Sequence, residues 1–141
     1  MENPKSPVFT HLSGSVQKKI LVIENDSSIA DVVKELLDLE GYNYVIYDDA
    51  VEIQPLLKEH QPDLILLDYL LDNTNGGELC SQVKKTPETA QIPVIIYSAA
   101  PKVLQSLGYY GCDLFISKPF DLDYMATQIR QLLADREALH R

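Results

Sequence analysis

The sequence predicts a single α/β domain, a five-stranded parallel sheet wound with helices on both faces. Three observations carry the prediction. The chain has 141 residues, which suits one hydrophobic core and leaves no room for a second sizeable one. From residue 20 onward five short apolar runs are separated by stretches of helical period, so strand and helix alternate five times. Three of the runs lack polar alternation, as strands covered on both faces of a parallel sheet do.

Residues 1–17, MENPKSPVFTHLSGSVQ, are rich in Pro, Ser and Gly and show no sustained period. They read as a flexible leader, and the domain is expected to occupy 18–141. The first strand is Ile20-Leu-Val-Ile23. The first helix follows on Ile29, Val32, Val33, Leu36, Leu37 and Leu39, with Gly41 as its stop. Tyr44-Val-Ile-Tyr47 is the second strand. Ile53, Leu56 and Leu57 mark a second helix, which tolerates Pro55 only in its first turn or at a bend. Leu64-Ile-Leu-Leu67 is the third strand, and Leu79 and Val83 mark the third helix. Pro93-Val-Ile-Ile-Tyr97 is the fourth strand, followed by a short helix on Val103, Leu104 and Leu107. Leu114-Phe-Ile116 is the fifth strand. An amphipathic helix on Leu122, Met125, Ile129, Leu132 and Leu133 closes the chain. Right-handed crossovers restrict such a chain to a few doubly wound orders, of which the flavodoxin-like 2-1-3-4-5 is expected.

Composition excludes several functions. Twelve basic residues against twenty-one acidic ones give a net charge of −9, which opposes direct binding to nucleic acid or to an anionic membrane. No apolar run is long enough to span a bilayer, and the amino terminus lacks a secretory pattern, so a cytoplasmic protein is expected. Cys80 and Cys112 lack metal-ligand spacing and read as free thiols.

Ligands of an open α/β sheet bind outside the carboxyl ends of its strands, where the strand order reverses. Glu24, Asn25 and Asp26 leave the first strand, Asp68 the third, Ser98 the fourth and Lys118 the fifth. Groups able to hold a cation, accept a phosphoryl group and neutralise it therefore converge on one edge. Taken singly, several have plainer readings: Asp26 as a helix cap, Ser98 as a turn residue, Lys118 as a solvated strand end. Asp68 is harder to dismiss, because apolar residues flank it on both sides and an unpaired carboxylate there is costly. Lys118 and a bound Mg2+ are the candidate counter-charges. An aspartate carboxylate can attack phosphorus and become an acyl phosphate, with a metal, a lysine and a hydroxyl neutralising the transferred oxygens.

From Lys18 to about Arg136 the chain resembles the response-regulator receiver domain of two-component signalling. The segments ILVIENDSSI (20–29), PDLILLDYLLDNTNGGEL (62–79), IPVIIYSAA (92–100) and DLFISKPF (113–120) carry the likeness. The resemblance implies that Asp68 is the phosphoacceptor, with Glu24, Asn25, Asp68 and the backbone carbonyl of Leu70 serving Mg2+. It further implies that Ser98 is the conserved hydroxyl, Lys118 the phosphate-contacting lysine and Phe115 the aromatic that swings inward on activation. Pro119 is implied to follow a cis bond, and Gly76 to open the loop into the third helix. The implied partners are a sensor histidine kinase or histidine phosphotransfer protein and an unidentified downstream protein. No output domain follows the last helix, so a stand-alone regulator or phosphorelay shuttle is expected, one that catalyses only its own phosphorylation and hydrolysis.

The chain departs from the family pattern in three places. Asn25 stands where Asp is usual, Asp72 where Pro is common, and the stretch between Ser98 and Lys118 is slightly short, implying a trimmed fourth helix. The first two favour an alternative, a degenerate receiver that docks without phosphorylation. An aspartyl phosphatase would need a second aspartate two residues after Asp68, where Leu70 stands. A flavin- or nucleotide-binding domain would need a Gly/Ser/Thr-rich loop after the first strand, where Glu24 and Asp26 repel phosphate.

Overall fold

The computed structural model describes residues 6–13, 17–99 and 111–139. Its sheet has six strands and is parallel except at one edge: β1 (Phe9–His11), β2 (Lys19–Ile23), β3 (Asn43–Tyr47), β4 (Leu64–Asp68), β5 (Val94–Ser98) and β6 (Leu114–Ser117). The helices among the described residues are α1 (Ser27–Glu40), α2 (Gln54–His60), α3 (Gly76–Lys85) and α4 (Leu122–Leu139). The expected short helix on Val103, Leu104 and Leu107 lies outside the described residues.

The strand order is β1-β3-β2-β4-β5-β6. Without β1 this is the 2-1-3-4-5 order read from the sequence. Within the expected leader, the extra strand corrects the reading for Phe9–His11. Phe9, Thr10 and His11 pair antiparallel with Ile46, Val45 and Tyr44. Side chains fasten the strand further. The His11 ring stacks on Tyr44 with centroids 5.9 Å apart, Lys34 Nζ lies 5.8 Å from the Phe9 centroid, and the Ser13 N–H donates to Asn43 Oδ1 at 2.8 Å. Residues without a sustained period thus become a strand because a neighbouring edge offers them hydrogen bonds.

Strand parity divides the core. Ile20, Val22, Leu64, Leu66, Ile95 and Tyr97 face α1 and α4, where Val33, Leu37, Met125 and Ile129 cover them. Leu21, Ile23, Val45, Ile65, Leu67 and Ile96 face α2 and α3, meeting Leu56, Leu79 and Val83. Each fully buried aliphatic side chain contributes about 1.5–3 kcal/mol of burial free energy. β3 is as thoroughly buried as the three inner strands.

Local chemistry sets the helix ends. Asp26 Oδ1 accepts from the N–H groups of Ser28 (2.9 Å) and Ile29 (3.4 Å), capping α1. Gly41, at φ +79°, ends it in the left-handed conformation that glycine adopts without penalty. Pro55 lies in the first turn of α2, where no hydrogen bond is lost. No described helix is long and apolar enough to cross a membrane.

Candidate functional site

The chain enters β2, crosses to β3 on one side, then returns to β4 on the other. The carboxyl ends of β2 and β4 therefore flank the switch point where such sheets bind ligands. Glu24 follows β2, Asp68 ends β4, Ser98 ends β5 and Lys118 follows β6. Glu24, Asp68 and Lys118 meet there. Ser98 ends the adjoining strand and accepts the Lys118 N–H on its carbonyl at 2.9 Å. Three of the four are almost wholly enclosed: Glu24 is 1 %, Asp68 3 % and Ser98 1 % exposed.

One ammonium serves two carboxylates. Lys118 Nζ stands 3.4 Å from Glu24 Oε1 and 3.4 Å from Asp68 Oδ1. The Leu70 N–H also donates to Asp68 Oδ1, at 3.2 Å, and the Asp26 N–H to Glu24 Oε2, at 2.9 Å. Two buried carboxylates against one lysine leave a formal charge of −1 in a low-dielectric pocket. Burial pushes the Glu24 carboxyl up to about 7; Asp68 adds to the rise, while the Asp26 N–H and Lys118 oppose it. The pocket thus resists full ionisation until more positive charge arrives.

Its donors are hard oxygens: the carboxylates of Glu24 and Asp68, the amide of Asn25 and the main chain after Asp68. Mg2+ takes oxygen ligands, retains waters and needs only one or two carboxylates, so the residues present fit it. Among the described residues no group of three or more His, Cys, Asp and Glu side chains forms a denser site.

The loop after β4 is held from three sides. Asn25 Nδ2 donates to Asp72 Oδ1 at 3.5 Å, which joins the two departures noted in the sequence. Asn73 Nδ2 donates to Asp49 Oδ2 in the loop after β3. Leu70 and Asn75 form an isolated bridge, and Asn75 Oδ1 caps α3 by accepting the Glu78 N–H at 2.9 Å. Gly76 sits so close to β4 that a Cβ there would lie 2.6 Å from the Asp68 carbonyl oxygen. Any larger residue would push α3 away from the strand that carries Asp68.

The remaining residues singled out by sequence lie around this centre. Leu70 is exposed. Phe115 is half-buried beside the cluster under α2 and α3. The Lys118–Pro119 peptide is cis. Asp26 caps α1, its plainer reading. One residue went unremarked. Tyr97 pairs with Asp68 across β4 and β5, and Lys118 Nζ lies 5.0 Å above its ring. Strand parity with Asp68 was the available signal. A separate groove of about 790 Å3, lined by Leu57, Lys58, Ile92 and Arg136 among others, borders the residues that enter β4 and β5 and so lies at the other end of the sheet.

Comparison with known proteins agrees with this geometry. Residues 20–130 match the family model of the response regulator receiver domain. The DNA-binding dual master transcriptional regulator RpaA of Synechocystis sp. is 33 % identical over 117 residues, covering 82 % of this chain and 48 % of that protein. The response regulator ArlR of Staphylococcus saprophyticus is 35 % identical over 118 residues, covering 82 % and 52 %. The chain spans about half the length of the curated relatives it matches. Among solved structures, the signal receiver domain of a histidine kinase from Syntrophus aciditrophicus superposes with a TM-score of 0.76 at 31 % identity, covering 84 % of this chain and 91 % of that one. The receiver domain of a Pseudomonas aeruginosa sensor histidine kinase, described with magnesium coordinated in its active-site cleft, shares the fold at 19 % identity and a TM-score of 0.75, covering 84 % and 99 %.

Proposed function

This chain belongs to the response regulator receiver domain family of two-component signalling, and from that premise we propose that Asp68 accepts a phosphoryl group from a phosphohistidine donor in a Mg2+-dependent step. The observation that carries the reading is the Asp68 carboxylate, enclosed at the end of β4 and sharing Lys118 with Glu24 at 3.4 Å. Leu70 and Lys118 both engage Oδ1, so the other oxygen attacks. Its bond to phosphorus forms as the P–N bond of the donor breaks, and the imidazole leaves with the electron pair.

Glu24, Asn25, Asp68 and the Leu70 carbonyl would hold Mg2+, which when bound neutralises the transferred oxygens. Lys118 orients the attacking carboxylate and supplies a fixed positive charge to the product. Ser98 is the hydroxyl at the phosphoryl group, and Phe115 moves inward as Ser98 is drawn toward it. The product adds about −1.5 to −2 charges and so biases the surface formed by β6 and α4. The protein catalyses only its own phosphorylation and hydrolysis. Its partners are a sensor kinase or phosphotransfer protein in the cytoplasm and a downstream protein. Docking without phosphorylation is the second reading, favoured by the uncharged Asn25.

Acetyl phosphate with Mg2+ is expected to place one phosphoryl group on the wild-type chain and none on Asp68→Asn, as read by intact mass. Equal modification of both proteins would remove Asp68 from the role. No modification of either would favour the docking module.

A further inference from the structure

At the mouth of the acidic pocket an amide and a carboxylate from different loops meet. Asn25 follows Glu24 directly, is exposed and carries no formal charge. The loop after β4 brings the exposed Asp72 to it, and Asn25 Nδ2 donates to Asp72 Oδ1 at 3.5 Å. A carboxylate only accepts hydrogen bonds, so Asp72 takes the amide nitrogen and leaves the Asn25 oxygen for the pocket. The Asp72 side chain has no cationic partner among the described residues, and Asn25 is its one contact there. Its charge is therefore not cancelled by the protein.

The loop does not need this contact to hold its shape. Asn73 already donates to Asp49, Leu70 and Asn75 form a bridge, and Asn75 caps α3. A weak exposed bond adds little to that. Toward a cation the same carboxylate can act in two ways, and magnitude separates them. Orientation is the lesser: an unrestrained amide can turn either end inward, so fixing it is worth at most roughly twofold in affinity. Charge is the greater. A unit charge about 8 Å from a divalent ion in water is worth roughly fourfold in affinity at low salt. An ion on the Asn25 oxygen would have Asp72 across the amide, too far to ligate it. It would still lie well inside the screening length of about 30 Å at about 0.01 M salt, which shrinks to about 3 Å at about 1 M.

We propose that Asp72 is a positioning residue of the cation site, supplying through space the negative charge that Asn25 lacks while holding the Asn25 oxygen toward the ion. The proposal rests on the Mg2+-dependent reading of the pocket. Asp72 makes no bond to the ion and takes no part in the transfer.

The test titrates the full wild-type chain, Asp72→Asn and Asp72→Glu with Mg2+, followed by 1H–15N NMR, at about 0.01 M and about 1 M KCl. Asp72→Asn keeps an acceptor oxygen but loses the charge, whereas Asp72→Glu keeps the charge on a longer arm. At low salt Asp72→Asn is expected to bind Mg2+ roughly fourfold more weakly than wild type, and at high salt to come within about twofold of it. Asp72→Glu is expected to stay within about twofold of wild type throughout. A deficit below about twofold for Asp72→Asn at low salt overturns the proposal. So does a larger deficit that persists undiminished at high salt, because the role would then be one of contact. Asp72→Glu binding as weakly as Asp72→Asn overturns it as well, since shape and not charge would then decide. If wild type itself does not bind Mg2+, the Mg2+-dependent reading fails and this proposal fails with it. A wild type that binds beside an indifferent Asp72→Asn sinks this proposal alone.

Discussion

At the scale of single residues, the pocket is decided by how many charges share a small enclosed volume. Asn25 contributes an amide, and the structure shows it donating to Asp72. A carboxylate accepts only, so it pairs with the amide nitrogen and leaves the amide oxygen free to face the pocket. Asn25→Asp would exchange that bond for repulsion with Asp72, Glu24 and Asp68. Because residues 25 and 72 are exposed, the loss to the metal-free fold is expected to be only about 1 kcal/mol or less. The added charge is expected to tighten Mg2+ binding. Urea melts in EDTA and a Mg2+ titration followed by NMR check the two halves. Unchanged Mg2+ affinity would place residue 25 out of the ion's reach. Most of these residues were legible in the sequence, because each directly follows an apolar run and the fold gathers strand ends. Asn25 and Asp72 were visible only as separate departures, since their meeting depends on two loops 47 residues apart. Tyr97 was hidden inside an apolar run, and only its parity with Asp68 shows which way its phenol points.

At the scale of elements, α2 shows how a short helix is tied to the sheet. Its seven residues bury Leu56 and Leu57, and its last residue, His60, meets the Tyr47 hydroxyl at 2.8 Å from Nε2. The His60 side chain is only 9 % exposed, and burial lowers its pKa below 6.5, with Glu59 opposing and Lys19 assisting. An imidazole held neutral in the fold takes up its proton more readily when unfolded. Stability from this contact is therefore complete above pH 6.5 and declines as the pH falls toward the folded value. Urea midpoints at pH 7.5 and 5.5 are expected to differ more for wild type than for His60→Gln. An equal difference would show that His60 does not titrate with unfolding. Nothing in the sequence marked this pair. Tyr47 read as the end of a strand and His60 as a helix residue, and their meeting follows from how α2 returns across the sheet.

At the scale of the whole molecule, the parallel sheet and its order were legible because apolar runs of strand length alternated with helical period and crossovers have one hand. The added strand was not. Phe9–His11 is too short for alternation, and its partner Asn43–Tyr47 lies more than thirty residues away in sequence. Its place at the edge has a practical meaning for anyone handling the protein. Without it, the outermost strand would be NYVIY, five residues long and rich in aromatic and β-branched side chains, with its backbone groups open to another chain. With it, the outermost strand is three residues long and preceded closely by Pro7, a poor template for growth. A chain shortened to begin at Gln17 is expected to keep its cooperative melt yet scatter light increasingly with concentration, relative to the intact chain. Equal scattering would mean that the edge is guarded in some other way. The family model matches only from residue 20 onward, so trimming for expression by resemblance alone would discard the strand that covers the β3 edge.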